Sequence, residues 1–316
     1  MKLNRTDFQL IKALQKDGSA SYSDLAGELG ITAKTVAKKT ERLLKNKVIS
    51  IIARPNPYKL GLFESAFIAL KTNLLKNGEI CRHLTDNFHV NLVQTVFGSF
   101  DILAIVYFPD LQQLHNFIDN ELYNLEGVVK VKIYFIKDIY KRYDYFFEKE
   151  SFCTKHLKMK ETDWQLVKAL SMDGRSNPAN LAEAFGIHLS TVYRRTETLQ
   201  KNRAINISAV PNPSRMSPYS ANAFVILETT PQEVEHLLKK LCEFSQIHFL
   251  MTTNNHSGLI ACIHSKDNES LFQFIQQHVS CRPNGLLNAE IFIRAMVHKT
   301  YYSLFAHETV PDEEKS

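Results

Sequence analysis

At 316 residues, with 44% hydrophobic and 22% charged residues, the chain has the composition of an ordinary globular protein of about two domains, which excludes a disordered or fibrous one. No apolar run approaches the ~20 residues that span a bilayer, and no signal-peptide core is present, so a cytoplasmic protein without membrane contact is expected. The net charge of +5 is unevenly held: residues 1–50 carry ten Lys/Arg against five Asp/Glu, and residues 158–208 carry eight against five, as a polyanion-binding module would place them. The five cysteines (Cys81, Cys153, Cys242, Cys262 and Cys281) are scattered without a C-x-x-C spacing, which speaks against a disulfide framework and a zinc ribbon and leaves them as packing residues.

From Asp7 to Lys16 the apolar residues Phe8, Leu10, Ile11 and Leu14 recur at helical spacing, with Asn4 or Thr6 as N-cap and Asp17-Gly18 as the stop. Ser21-Tyr22-Ser23-Asp24 has the form of a capping box and opens a short helix, Tyr22 to Leu29, which Gly30 ends. Thr32 caps a third helix to about Leu44. Val36, Leu43 and Leu44 point inward, and Lys34, Thr35, Lys38 and Lys39 form a basic polar face. Two helices joined through a glycine turn, the second with such a face, predict a helix-turn-helix. Val48 to Ile52 follows as the strand of a winged variant that tracks the phosphate backbone, with Asn46 as a left-handed cap before it.

After Pro55-Asn56-Pro57 the pattern predicts a strand from Ser65 to Thr72, a helix to about Phe88, strands Asn91 to Phe97 and Asp101 to Phe108, a helix from Leu111 to about Asn124, and a last strand through Ile139. The order βαββαβ is ferredoxin-like. All of this is then written a second time. Thr6-Asp7-Phe8-Gln9-Leu10-Ile11-Lys12-Ala13-Leu14 returns as Thr162-Asp163-Trp164-Gln165-Leu166-Val167-Lys168-Ala169-Leu170, an offset of 156 that holds through Gly186-Ile187, Thr191-Val192 and Pro211-Asn212-Pro213. The second reading face is His188, Ser190, Thr191, Arg194 and Arg195, followed by a strand from Ala204 to Ser208 that Asn202 precedes. Because arginine is a planar fork and lysine a point charge, the two faces are not expected to read identical half-sites. The later elements recur as Ala223 to Thr229, Pro231 to Phe244, Ile247 to Thr253, Leu259 to His264, Asn268 to Val279 and Leu287 to Lys299.

The fold class expected is therefore α+β: two repeats, each a winged helix-turn-helix followed by a βαββαβ ferredoxin-like (ACT-like) domain. The expected boundaries are 1–53 and 62–147 for the first copy, 148–160 for a charged linker, 161–209 and 219–304 for the second copy, and 305–316 for an acidic tail. Candidate double-stranded DNA contacts are Thr32, Lys34, Thr35, Lys38, Lys39 and Arg42 in the first head and His188, Ser190, Thr191, Arg194 and Arg195 in the second; Arg42, Lys45, Lys47, Lys201 and Arg203 are candidate phosphate contacts.

Asp7, Leu10 and Leu14, Leu25-Ala26, Gly30-Ile31, Thr35-Val36, Leu43, Ile49, and Gly98 with Asp101 carry a resemblance to the Lrp/AsnC family of bacterial and archaeal transcription regulators. The resemblance implies self-association through the sheets of the ferredoxin-like domains, and an amino acid or related small effector bound between them. It places that effector tentatively at Gly98, Ser99 and Asp101, in a hairpin that becomes Asn255-His256-Ser257-Gly258 in the second copy; Gly98 and Asp101 also read naturally as hairpin-turn residues. Relatives usually carry glycine after the recognition helix, where this chain has Lys47 and Arg203, so Asn46 and Asn202 are expected to take over that turn.

No phosphate loop, nucleophile elbow, H-E-x-x-H or Cys/His cluster is present, so no catalytic residue, metal or cofactor is expected. Two competing readings are a tetrapyrrole enzyme resembling the sirohaem decarboxylases, which join two such halves, and an interaction scaffold without DNA binding. For the first, the stretches Val93 to Ile105 and Leu250 to Ile260 offer only His256 as an imidazole.

Overall fold

A computed structural model describes residues 3–142, 157–212, 221–254, 258–279 and 286–299 of the chain. The linker residues 148–156, the acidic tail, His256, Cys153 and Cys281 lie outside the described residues. In chain order the first copy forms α1 (Arg5–Lys16), α2 (Tyr22–Leu29), α3 (Ala33–Lys45), β1 (Ile49–Pro55), β2 (Glu64–Thr72), α4 (Asn77–Asp86), β3 (Val90–Phe97), β4 (Ile102–Phe108), α5 (Leu111–Asn116) and β5 (Val128–Arg142). The second copy repeats these as α6 (Glu161–Met172), α7 (Pro178–Phe185), α8 (Leu189–Lys201), β6 (Ile205–Pro211), β7 (Ala221–Thr229), α9 (Val234–Glu243), β8 (Ile247–Thr253), β9 (Gly258–Ser265), α10 (Asn268–Phe274) and β10 (Leu286–Lys299). They fall into two units, one holding the described residues of 3–61 and 157–212, the other those of 62–142 and 221–299.

In the first unit, local chemistry sets the helix ends. Asn4 and Asp7 form a reciprocal capping box, each accepting the other's backbone N–H at 3.0 Å. Gly30 and Gly186 end the second helix of each copy in the left-handed region, at φ 65° and 62°. The strands β1 and β6 do not stand as separate wings: they pair with each other, antiparallel, and the register sets Ile52 opposite Ser208. Those two positions differ by 156, the repeat offset itself, so the ribbon has a pseudo-two-fold axis between them. The physical reason is burial, since Ile49, Ile51, Ile52 and Ala53 of one strand and Ile205, Ile207 and Ala209 of the other are all core residues. Each copy's first helix ends on the other copy's strand: the Gly18 N–H donates to the Ile207 carbonyl and the Gly174 N–H to the Ile51 carbonyl, both at 2.8 Å. A Cβ at Gly18 would lie 2.7 Å from the Ser208 Cα, so the close approach requires glycine.

Asn46 and Asn202 are not left-handed, at φ −84° and −83°; the left-handed residues are Lys47 (φ 50°) and Arg203 (φ 55°) themselves. Each asparagine instead ties its side-chain amide to the helix behind it, Asn46 to the Arg42 carbonyl and Asn202 to the Thr198 carbonyl, both at 2.8 Å. A side chain costs about 1–2 kcal/mol in the left-handed region, partly offset by the roughly 0.5–1 kcal/mol of chain entropy that glycine forfeits. Lys47→Gly is therefore expected to stabilise the first unit by up to about 1 kcal/mol, seen as a rise in Tm; a fall would show that the lysine side chain contributes more than its backbone strain costs.

In the second unit each copy builds a four-stranded sheet, in the orders β3-β4-β2-β5 and β8-β9-β7-β10, and the two sheets close edge to edge into an eight-stranded barrel through β5 with β8 and β10 with β3. Strand length makes this possible. β5 pairs with β2 from Val128 to Phe135 and then, over Ile136 to Arg142, with β8; β10 does the same with β7 and β3. Bulges interrupt both crossings and bend the strands over the seams. Closure leaves neither sheet with an unpaired edge. Helices cover one face of each sheet, over cores that include Ile68, Leu84, Val106 and Leu114 in one copy and Val225, Leu241, Ile263 and Leu271 in the other. Alternation sends Phe67 and Phe224 to the opposite face, where their rings meet at 5.3 Å.

A pair of lysines fastens the seams. Lys141 donates to the Cys242 and Phe244 carbonyls (2.9 and 2.7 Å) at the end of α9, and Lys299 donates to the Thr85 and Asn87 carbonyls (2.8 and 2.9 Å) at the end of α4. Each copy thus caps the other's helix with a cation at the negative end of its dipole. Burial pushes the Lys299 ammonium down to about 8.

Candidate nucleic-acid interface

The face that each head offers follows from how its third helix is fixed. Asp7 on α1 and Asp163 on α6 are fully buried, and each is answered from the third helix of its own copy. In the first copy Lys39 and Arg42 both reach Asp7, at 2.8 and 2.7 Å. Burial works to raise the Asp7 carboxyl, but hydrogen bonds from the Asn4 N–H, Lys39 and Arg42 hold it below the usual carboxylate range. In the second copy Arg195 alone grips both oxygens of Asp163, its Nε at 2.5 Å from Oδ1 and its Nη2 against Oδ2. The pairs Lys38-Lys39 and Arg194-Arg195 therefore separate. Lys39 and Arg195 turn inward as ties between helices, and Lys38 and Arg194 stay exposed. Of the expected reading face, Lys39 and Arg195 are thus each engaged by a buried carboxylate of their own head. Arg42 is still partly exposed but shares the same carboxylate.

Lys34 is exposed beside Lys38, and Ser190 beside Arg194. Thr32 is the N-cap of α3: its hydroxyl accepts the Thr35 N–H at 3.2 Å and meets the Thr35 hydroxyl at 2.8 Å. Both threonines thus hold the helix start, half turned to its outer side. His188 occupies the corresponding cap position in α8 without a side-chain hydrogen bond to the helix, and Thr191 is half-buried behind it. Two outward residues escaped the sequence reading: Tyr193, 58% exposed, and Leu189, 42% exposed. Tyr193 sits three residues after Ser190 and one before Arg194, and its counterpart at the repeat offset is Ala37, so the second head carries a phenol where the first has a methyl group. The signal lay in that difference between copies.

The hairpin expected to hold an effector is largely committed within the second unit. The Asp101 carboxylate accepts the Thr72 N–H at 2.8 Å and pairs with Lys71 at 2.9 Å. A Cβ at Gly98 would meet the Phe292 ring at 2.8 Å, and the Ser99 hydroxyl donates to Glu290 at 2.9 Å. Gly98 and Ser99 therefore face β10 of the second copy, at the join between the two ferredoxin-like domains. Among the described residues, Cys81 and Cys262 are free thiols, no three His, Cys, Asp or Glu gather as a metal site would require, and no helix is long and apolar enough to cross a membrane.

Two helix-turn-helix heads related by the two-fold of one shared ribbon, in a chain whose βαββαβ domains also pair, define a two-headed helix-turn-helix protein built as a pseudo-dimer. The comparisons agree. Residues 3–44 match the AsnC-type helix-turn-helix domain and residues 65–146 the Lrp/AsnC ligand binding domain. The HTH-type transcriptional regulator PH0140 of Pyrococcus horikoshii is 31% identical over 129 residues, covering 40% of this chain and 82% of that protein. PF1231 of Pyrococcus furiosus, an HTH-type transcriptional regulator as well, is 32% identical over 127 residues, covering 40% and 86%. The chain belongs to the Lrp/AsnC family. Among solved structures, the siroheme decarboxylase NirDL superimposes with a TM-score of 0.67 over 96% of this chain and 95% of that one, at 17% identity, a likeness of fold across both copies.

Proposed function

We propose that the chain is a DNA-binding transcription regulator in which one polypeptide supplies both reading heads, acting by binding and not by catalysis. The observation that carries this is the pairing of β1 with β6 about the Ile52/Ser208 position, which relates two basic third helices by a pseudo-two-fold. A pseudo-palindromic operator is what such a pair reads. The heads are unequal: the first offers Lys34 and Lys38 with the Thr32–Thr35 helix start, the second Ser190, Tyr193 and Arg194 with His188. Arg194 is suited to guanine O6 and N7, and Lys45, Lys47, Lys201 and Arg203 to phosphates. Lys201 shares its charge with Glu197 at 2.7 Å. A small effector such as an amino acid is assigned to the join at Gly98 and Ser99, with Asp101 supporting the hairpin.

Head-specific substitution tests this. Arg194→Ala is expected to cost about 1–3 kcal/mol of operator affinity and to relax the sequence preference of one half-site, while Lys38→Ala weakens the other. Selection on randomised half-sites reads the difference. Equal relaxation of both halves by either variant contradicts unequal heads. A spectral change on adding sirohaem, with turnover and without DNA enrichment, would favour the enzymatic reading.

A further inference from the structure

The pseudo-two-fold of the second unit brings counterpart positions of the two copies face to face, and there the copies carry opposite charge. In the ferredoxin-like domains the offset between the copies grows to 157, and to 158 in the last strand: Phe67 and Phe224 are counterparts and touch, and Lys132 of β5 and Glu290 of β10 are counterparts and pair at 2.5 Å. A second counterpart pair is also reversed, Lys71 in the first copy and Glu228 in the second, and Glu228 lies 3.9 Å from Lys132. Around this contact the first copy thus carries Lys130 and Lys132, Lys71 being paired with Asp101 of its own copy, and the second carries Glu228 and Glu290. Lys130 stands over the Phe100 ring, and Ser99 of the first copy donates to Glu290. Burial works to lower the Lys132 ammonium, but its hydrogen bond to Glu290 leaves it raised; burial works to raise the Glu290 carboxyl, but Lys132 and Ser99 leave it lowered.

A symmetric pairing of two first copies would set Lys132 against Lys132 with Lys130 nearby, and a pairing of two second copies would set Glu290 against Glu290 between two Glu228 side chains. We propose that the Lys132–Glu290 contact, with Glu228, is a pairing code by which each ferredoxin-like domain accepts the other copy's domain and rejects its own kind. Uncharged facing residues would allow like-with-like pairing between chains; opposite charges on counterpart positions penalise it on both sides. The surface therefore fits a partner of complementary charge, the other half of this chain.

The test uses full-length chains carrying Lys132→Glu, Glu290→Lys, or both. Each single reversal places like charges at the contact and is expected to lower the Tm of the second unit, and the double reversal is expected to restore most of the loss. When the two single variants are mixed, the carboxylate introduced by Lys132→Glu in one chain faces the ammonium introduced by Glu290→Lys in the other. The native Lys132 and Glu290 that remain, one in each chain, face each other as well. A two-chain species holding one of each variant is then expected by native mass spectrometry, in roughly tenfold excess over the two like-with-like dimers. Singles as stable as the wild type, a double reversal no better than the singles, or a mixture without preference for the mixed species would each overturn the code.

Discussion

Replacing Asp163 by alanine is expected to destabilise the first unit by about 3 kcal/mol and to loosen the second reading head. The carboxylate is fully buried and holds three groups at once: the Arg195 Nε, the Arg195 Nη2 and the Lys160 N–H, the last at 2.8 Å. Its removal strands a guanidinium whose side chain is only 18% exposed and uncaps α6. The third helix of the head then loses its tie to the first, so operator affinity falls although no DNA contact has been touched. Asp7→Ala is expected to do the same in the first head, where it would strand Lys39 and Arg42 together. Denaturant titration of the first unit measures the loss; a cost below about 1 kcal/mol would mean that water answers these cations and that Arg195 is available to DNA after all. Because the Asp7 carboxyl is held below its unfolded value, its contribution is complete above about pH 4 and disappears as the pH falls through the lower folded value.

Mild acid is expected to unfold the second unit well before that. His248 and His264 stack inside the second copy at 3.9 Å. Burial, with the charge of Lys141, pushes His248 down to about 4, and burial, with His248 and Arg294, pushes His264 down to about 2. Unfolded imidazoles titrate near 6.5, so between that value and the folded ones the unfolded chain binds more protons and stability drops with pH. Each pH unit of that window costs about 1.4 kcal/mol per ring, so the loss by pH 4 reaches several kcal/mol. That is a large share of the ~5–15 kcal/mol that holds a domain together. The first copy has Asn91 and Tyr107 at the counterpart positions, which supplies the control: His248→Asn with His264→Tyr should flatten the stability profile between pH 6.5 and 4. An unchanged acid limb in that double variant would place the proton uptake elsewhere.

The helical heads were legible because their signals are local. Asn4, Ser21 and Thr32 cap within three residues, and Gly30 and Gly186 stop the helices at the positions where the pattern breaks. The succession of strands and helices along each ferredoxin-like domain was legible for the same reason, one periodic run after another. What the pattern did not contain was partnership over distance. β5 was expected to end at Ile139 and runs to Arg142, and its second half belongs to the other copy's sheet. The inward turn of Lys39 and Arg195 depends on a carboxylate 32 residues away that looked like an ordinary first-turn acid of a helix. The left-handed turn fell on Lys47 and Arg203 because the register of the helix end decides which residue takes it, and intrinsic preference for asparagine next door does not. Lys141, Lys299 and the Lys132–Glu290 contact emerge only once the barrel is closed.

Two unequal DNA-reading heads in one chain stand or fall with selection of bound fragments from genomic DNA by the purified full-length protein. Anisotropy titration of the best fragment at several salt concentrations follows, because any phosphate binder weakens with salt and the deciding quantity is the ratio over scrambled DNA. The expected result is a ratio of roughly 10³ or more on a site with two unlike halves about one helical turn apart. Absence of enrichment, with and without amino acids, would contradict the two-headed reader.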